Sequence, residues 1–219
     1  MDIYAIRDEC RANFNTTLRK ALSFLPKMDG AHLLDAGCGT GVSTCEIARI
    51  TDWHITAMDI DNNSLDMLRC KIARLGLTER IAVDCSGLED AGLAKHCFDI
   101  ILAEGLFNII GFERGLVQCD AYLKGGGCMI IHDEMQGRKD KLRLFTQSGY
   151  CVLGEITLDE AAWGEKYCAC LKAGISSVDE RMMKREHERA LLAQIKSELA
   201  MFEASPMVFR SIFYVVQKK

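Results

Sequence analysis

Long apolar runs are missing from the sequence, and their absence excludes a membrane-spanning helix. Such a helix needs about 20 consecutive apolar residues, and no run in the 219 residues approaches that length. The first residues, MDIYAIRDECRANF, include acidic side chains and lack the apolar stretch of a secretory signal. We therefore expect a cytoplasmic protein with no membrane partner.

A block of basic residues is also missing. The chain has 27 Lys and Arg against 31 Asp and Glu, which gives a net charge of −4. Proteins whose main partner is a nucleic acid usually carry a concentrated positive patch. We therefore expect no nucleic-acid partner, and we expect a monomer or a homodimer.

No Cys-x-x-Cys pair occurs, although the chain has 11 cysteines. The two nearest in sequence, Cys168 and Cys170, are separated by one residue, which does not fit the usual spacing of zinc ligands. We therefore expect no metal site, and we expect reduced thiols that pack as small apolar side chains.

Apolar runs alternate with helical patterns from residue 30 onward. This alternation indicates βαβ units, and hence a parallel sheet covered by helices on both faces. The runs are continuous rather than alternating, as expected for strands buried on both faces. The sequence predicts a doubly wound α/β domain with strands in HLLDAG, HITAMDI, RIAVDC, FDIILAEG, GGCMIIHDE (after a turn KGGG), YCVLGEIT and MVFRSIFYVVQ.

The whole chain, residues 1–219, reads as one domain. A leading segment covers residues 1–29, and its predicted helix ends before Pro26. A cofactor-binding core follows over 30–157. A helical insertion covers 158–205, and its second helix is predicted to open with a capping box from Ser177 to Glu180. Residues 206–219 return as the final strand.

The loop after the first predicted strand, in HLLDAGCGTGVSTCEIA, is rich in glycine. Its spacing is G-x-G-x-G, whereas a dinucleotide site has G-x-G-x-x-G, and Val42 stands where the third Gly of that fingerprint would be. Asp35 lies two residues before the first Gly, where a carboxylate would repel a pyrophosphate but suits an ammonium group. An NAD-dependent oxidoreductase is therefore disfavoured.

This loop is followed in order by MDID, FDIILAEG and YLKGGGCMIIHDE. The ordered set resembles the class I S-adenosylmethionine-dependent methyltransferases over residues 30–157 and the closing strand. Within it, AEGLFNIIGFERGL is similar to a type 11-like branch that acts on small molecules. The resemblance implies a Rossmann-like sheet of seven strands with the last one antiparallel, S-adenosylmethionine as cofactor, and a small-molecule acceptor.

The resemblance also implies roles for individual residues. Asp35 would receive the methionine ammonium, and Asp59, which ends the second strand, would accept both ribose hydroxyls. Side chains at the loop glycines would collide with the cofactor. Gly87 stands where the family often has an acid for the adenine amino group, so Asp84 or Glu89 could replace it. The implied cofactor-binding residues are Asp35, Gly37, Cys38, Gly39, Gly41, Asp59, Ile60, Leu88, Ala103 and Glu104.

Methyl transfer from a sulfonium needs alignment and exclusion of water more than it needs a catalytic group. Glu104 ends the fourth strand and is the best candidate to bind or deprotonate the acceptor, with a structural ion pair as its alternative. Asn108 is a weaker candidate, and His132 is expected to be a buried, hydrogen-bonded histidine.

The acceptor should lie between the leading helix and the insertion, whose aromatic residues are Tyr4, Phe14, Trp163 and Tyr167. A thiol-seeking metalloid acceptor bound by Cys168 and Cys170 is a less favoured alternative. A non-catalytic sensor that keeps the cofactor pocket is the remaining alternative function.

Overall fold

A computed structural model of the chain describes residues 2–180 and 183–219. Its centre is a seven-stranded sheet in the order β3-β2-β1-β4-β5-β7-β6. All pairs among β1 to β5 are parallel, and β7 runs antiparallel to both β5 and β6. This confirms the predicted fold. The strands are β1 (His32–Ala36), β2 (His54–Met58), β3 (Ile81–Asp84), β4 (Phe98–Glu104), β5 (Leu123–Glu134), β6 (Tyr150–Leu158) and β7 (Ser211–Lys218).

Helices cover both faces of this sheet. Neighbouring residues of one strand serve opposite faces, so Leu33 packs in one core cluster and Leu34 in the other. Strands of this kind need apolar residues at consecutive positions, which explains their continuous apolar runs. The helices are α1 (Ile3–Ala12), α2 (Asn15–Leu22), α3 (Val42–Ile50), α4 (Asn62–Leu75), α5 (Phe107–Ile110), α6 (Phe112–Tyr122), α7 (Arg138–Gln147), α8 (Glu160–Trp163), α9 (Ala169–Ile175) and α10 (Glu186–Ala204).

The leading segment is two helices rather than the single helix expected. The helix is interrupted between α1 and α2, where the side-chain amide nitrogen of Asn13 donates to the backbone carbonyl of Lys166 at 2.8 Å. Phe14 turns into the core at the break, and its ring centroid lies 4.8 Å from that of Trp163. Asn13 and Phe14, at this interruption, therefore connect the leading segment to the insertion.

The insertion also departs from the predicted pattern. The capping box at Ser177 to Glu180 is wrong, because α10 begins only at Glu186. The Ser177 hydroxyl instead donates to the carbonyl of Gly174, near the end of α9, at 3.0 Å. A π-helical turn, Gly164–Cys168, joins α8 to α9. The inward side chains of α10 are apolar: Leu191, Leu192, Ile195 and Leu199 are buried, and Phe202 packs beside them.

The glycines of KGGG lie within β5 and do not form a turn before it. The pairing of β5 with β4 shifts between Phe98 and Ile100, whose partners are Leu123 and Cys128. The extra residues of β5 therefore form a bulge at the glycine run. Bulges and turns both favour glycine, which explains why the sequence KGGG predicts a turn.

Two of the cysteines are not free thiols. Cys10 of α1 and Cys170 of α9 form a disulfide, with their Cα atoms 5.5 Å apart. The expectation of reduced thiols is wrong for this pair, because packing of α1 against α9 brings together residues 160 positions apart. Since the sulfur of Cys170 is bonded to Cys10, it cannot form a metalloid site with Cys168.

None of the helices within residues 2–180 and 183–219 has the length and hydropathy needed to cross a membrane.

Gly41, which precedes α3, is required by packing. Its φ is +75°, and a Cβ atom at this position would lie 2.2 Å from Cδ1 of Leu68, a fully buried residue of α4. A side chain at 41 would therefore collide with the protein itself, and its collision with the cofactor stays a prediction. At Gly39, by contrast, φ is +53° and a Cβ would meet no atom within 4 Å.

We expect Gly41→Ala to lower the free energy of unfolding by about 2 kcal/mol or more, from left-handed strain plus overpacking. Gly39→Ala is the control, with strain alone, and should cost about 1 kcal/mol. Urea unfolding of both variants measures the difference. Combining Gly41→Ala with Leu68→Ala should cost less than the sum of the two single losses. Strict additivity would contradict the assigned clash.

Candidate cofactor and acceptor site

Two adjoining cavities open at the carboxyl ends of the strands, where the strand order reverses between β1 and β4. This is where open α/β sheets bind ligands. The first cavity has a volume of about 290 Å³ and the second about 480 Å³. Their shared wall consists of Gly37, Glu104, Gly105 and Ile109.

The loop after β1 forms one side of both cavities. The backbone N–H groups of Gly37 and Cys38 donate to the carbonyl of Met58 at 2.8 and 2.9 Å. The N–H of Gly39 donates to the carboxylate of Asp59 at 2.7 Å. These bonds tie the loop to the end of β2. The space beside Gly39 stays open, as close approach of a ligand to the backbone requires.

Asp59 has a structural task besides the predicted one. Its Oδ2 accepts from Gly39, and its Oδ1 accepts from the backbone N–H of Asp61 at 2.9 Å. Asp61, not Asp59, caps α4 by accepting from Asn63. Each carboxylate oxygen of Asp59 can accept a second bond, so the ribose role stays a compatible prediction.

The first cavity has an apolar wall and a polar rim. Leu88 is buried beside it, whereas the side chain of Ile60 is 79% exposed and projects at its mouth. The hydroxyl of Ser86 is buried there and has no hydrogen-bond partner among the described residues. Such an orphan group fits a ligand with donors and acceptors, such as adenine. The sequence reasoning did not identify Ser86.

Neither proposed substitute for the missing acid is free in this cavity. Glu89 lines it but forms an ion pair with Arg114, and Asp84 lies outside the lining. Two of the predicted cofactor residues also lie outside both cavities. Gly41 packs against Leu68 of α4, and the side chain of Ala103 is buried in the core cluster on the face of the sheet that contains Leu34.

Asp35 lies at the base of the second cavity and is 3% exposed. Burial raises the pKa of its carboxyl to about 7, although a hydrogen bond from Thr44 opposes the shift. That hydroxyl donates to Asp35 at 2.5 Å. A buried carboxyl in this state is stabilised as an anion by a nearby cation, such as an ammonium group.

Glu104 lies where the two cavities meet, as its position at the end of β4 predicts. The hydroxyl of Ser43 donates to one of its oxygens, and Nδ1 of His132 lies 3.6 Å from the other. Burial raises the pKa of Glu104, but the hydrogen bond and charge of His132, the Ser43 hydroxyl and the charge of Arg11 outweigh it and lower the pKa overall. Glu104 is therefore a carboxylate at neutral pH.

His132 is buried and hydrogen-bonded, and it also lines the second cavity. Its Nε2 lies 2.9 Å from the hydroxyl of Ser211, and its ring stacks on Phe213 with centroids 4.0 Å apart. These contacts fix the ring so that its other nitrogen faces Glu104. The pairing of Glu104 with His132 across β4 and β5 could not be read from either strand alone.

The second cavity lies between α1 and α10, where the acceptor was expected. Tyr4 and Phe14 line it, together with Asn108 from α5. Trp163 and Tyr167 pack behind Phe14, at centroid distances of 4.8 and 6.3 Å. Polar groups dominate the remaining lining: Arg7, Asp8, Arg11, Asn15, Ser64, Gln194 and Glu198. In the part of the chain that the structure describes, no three His, Cys, Asp or Glu side chains converge as a metal site would need.

Residues 33–127 match the family of proteins described as "Methyltransferase domain". Over this range, which is less than half of its length, the chain is similar to methyltransferase domains. The matched range begins in β1 and includes the glycine loop, Asp59 and Glu104.

Curated relatives of the chain include the methyltransferase GfsG of Streptomyces halstedii. It is 26% identical over 126 residues, which are 57% of this chain and 45% of that protein. The dimethylglycine N-methyltransferase of Parasynechococcus marenigrum is 26% identical over 195 residues, 85% of this chain and 68% of that protein. The chain spans less than half the length of several curated relatives, GfsG among them.

Solved structures share the fold of the chain. A methyltransferase from Geobacter sulfurreducens, in complex with S-adenosyl-L-homocysteine, has a TM-score of 0.70 at 19% identity, covering 93% of this chain and 88% of that one. The [4+2]-cyclase SpnF has a TM-score of 0.76 at 16% identity, covering 93% of this chain and 81% of that one. Since this fold also includes a cyclase, the fold alone does not determine the reaction.

The pKa of Asp35 predicts how cofactor binding depends on pH. Only the ionised carboxyl attracts an ammonium group, and ionisation rises as pH passes through about 7. We expect the affinity for S-adenosylhomocysteine to increase roughly tenfold between pH 6 and pH 8. Isothermal titration calorimetry at several pH values measures it.

Asp35→Asn should weaken binding and remove this pH dependence, whereas Asp140→Asn, a change at an exposed carboxylate on α7, should keep it. A flat wild-type profile, or a rise that persists in Asp35→Asn, would contradict the assignment.

Proposed function

We propose that the protein transfers a methyl group from S-adenosylmethionine to a small polar molecule held in the second cavity. The observation that carries this proposal is the shared wall of the two cavities, with Glu104 in it. A cofactor with its adenosyl part in the first cavity would cross this junction and reach Asp35 at the base of the second cavity, and the acceptor would occupy the rest of the second cavity beside Glu104.

The residues at the loop fit such a cofactor. Asp35 would bind the ammonium, Asp59 the ribose hydroxyls, and Leu88 the adenine ring, with the Ser86 hydroxyl as a polar contact nearby. The open space at Gly39 lets the ligand lie against the backbone. The cofactor supplies a methyl group on a sulfonium, whose leaving group is already activated. The protein therefore has to align the reacting atoms and exclude water.

Glu104 serves the acceptor side as a carboxylate rather than as a strong base. A carboxylate with a lowered pKa holds protons weakly, but it attracts a positive charge that develops nearby. Methylation of an amine moves the positive charge of the sulfonium onto nitrogen. We therefore favour an amine nitrogen as the atom methylated, in line with the relative described as a dimethylglycine N-methyltransferase.

Calorimetry with S-adenosylmethionine, S-adenosylhomocysteine and NAD tests the cofactor. We expect binding of the first two and none of NAD. Turnover is then followed as release of S-adenosylhomocysteine from a panel of small amines. Tight cofactor binding with no turnover on any polar acceptor would favour the sensor function, and binding of NAD alone would overturn the proposal.

Glu104→Gln separates the acceptor side from the cofactor side. It keeps the size of the side chain but removes its charge, so we expect affinity for S-adenosylhomocysteine to change less than threefold. The methylation rate should fall at least tenfold, or about 1.4 kcal/mol of transition-state stabilisation.

The matched control is Glu79→Gln, an exposed position just before β3, at the opposite end of the sheet. It should leave both quantities unchanged. Equal rates for wild type and Glu104→Gln would return Glu104 to a structural role.

A further inference from the structure

Two arginines of α1 face the second cavity. Arg7 and Arg11 are four residues apart, so they lie on the same side of the helix, and both line the cavity. Neither belongs to the sequence motifs, and neither is required to hold the cofactor as described above.

The two arginines differ in their partners. Nη2 of Arg7 lies 3.5 Å from Oε1 of Glu198, whose other oxygen accepts from the hydroxyl of Tyr167 at 3.1 Å. Arg7 is therefore part of the contact between α1 and α10. Arg11 forms no ion pair or hydrogen bond through its side chain within residues 2–180 and 183–219. A half-buried guanidinium with five donors and no partner is suited to an anionic ligand.

The other charged residues that line the cavity have ion-pair partners or an assigned role in binding. Asp8 forms an ion pair with Lys71 and accepts from the hydroxyl of Thr40 at 2.5 Å. Asp35 lies at the cofactor end. Two charges then remain on the acceptor side, the cation of Arg11 and the anion of Glu104.

Arg11 is associated with the acceptor end rather than with the cofactor end. Its charge acts on Glu104 and on Tyr167 of the insertion. Arg11 lines the second cavity beside Phe14 and Asn15 of the leading segment, and it does not line the first cavity. An anion bound by Arg11 would therefore belong to the molecule beside Glu104.

We propose that Arg11 binds an anionic group of the acceptor, so that the acceptor is a dipolar molecule with its amine towards Glu104 and its carboxylate or phosphate towards Arg11. This inference rests on the proposed methyl transfer for the identity of the ligand as an acceptor. Amino acids, N-methylated amino acids and phosphorylated amino alcohols belong to this class.

Binding to the full-length protein saturated with S-adenosylhomocysteine tests the site without requiring turnover. The probes are N,N-dimethylglycine, O-phosphoethanolamine and N,N-dimethylglycinamide, which has the amine but no anion. We expect one of the two anionic probes to bind at least tenfold more tightly than the amide, and the tighter one identifies the anion as carboxylate or phosphate.

Arg11→Gln should lower the affinity for that anionic probe at least tenfold and leave the affinity for the amide unchanged. Arg11→Lys should recover part of the lost affinity. The control is Arg143→Gln on α7, where an arginine 72% exposed pairs only with Asp140 at 2.9 Å among the described residues. It should have no effect on any probe. Circular dichroism verifies that each variant is folded.

Three results would overturn the inference. Equal affinity of the wild type for the amide and for both anionic probes would rule out the anion subsite. An equal loss of affinity for the amide and for the anionic probe in Arg11→Gln would make Arg11 a partner of Glu104 only. A large loss of S-adenosylhomocysteine affinity in Arg11→Gln would assign the guanidinium to the methionine carboxylate.

Turnover separates this inference from the proposed function. Methylation of neutral amines that is indifferent to Arg11 would leave the methyltransferase function standing and the anion subsite refuted. Binding of the anionic probe that depends on Arg11, without methylation of any probe, would support the subsite and count against methyl transfer to this class.

Discussion

The site depends on the attachment of the loop after β1 to the end of β2. Three consecutive N–H groups, of Gly37, Cys38 and Gly39, are bonded to the carbonyl of Met58 and the carboxylate of Asp59. The loop therefore satisfies its own polar groups without filling the space in front of it. These acceptors lie at the end of β2. The register of β2 against β1 therefore sets the position of the loop that lines the cavities.

The elements that the sequence predicted are those whose signals are local. Each strand of the parallel sheet is a short apolar run, because both faces are buried. Glu104 could be placed at the cleft for the same reason: it is the last residue of a strand whose direction the βαβ pattern determines.

The features that the sequence did not predict are contacts between distant positions. Gly41 is required by Leu68 of the next helix, and its role cannot be separated from that of Gly39 by spacing alone. Arg11 becomes notable only because no acidic side chain in the described part of the chain forms an ion pair with it. The late start of α10 has a similar origin, since the Ser177 hydroxyl bonds back to α9 instead of capping the following helix.

The disulfide between Cys10 and Cys170 closes a covalent ring that contains β1 to β6 and leaves α10 and β7 outside it. While the bond is intact, α1, which lines the second cavity, cannot separate from α9 at this point. Asp8 further binds α1 to Lys71 and Thr40. The wall carrying Gln194 and Glu198 lies beyond the ring, so no covalent link of this kind restrains α10, which contacts α1 through the ion pair of Arg7 with Glu198.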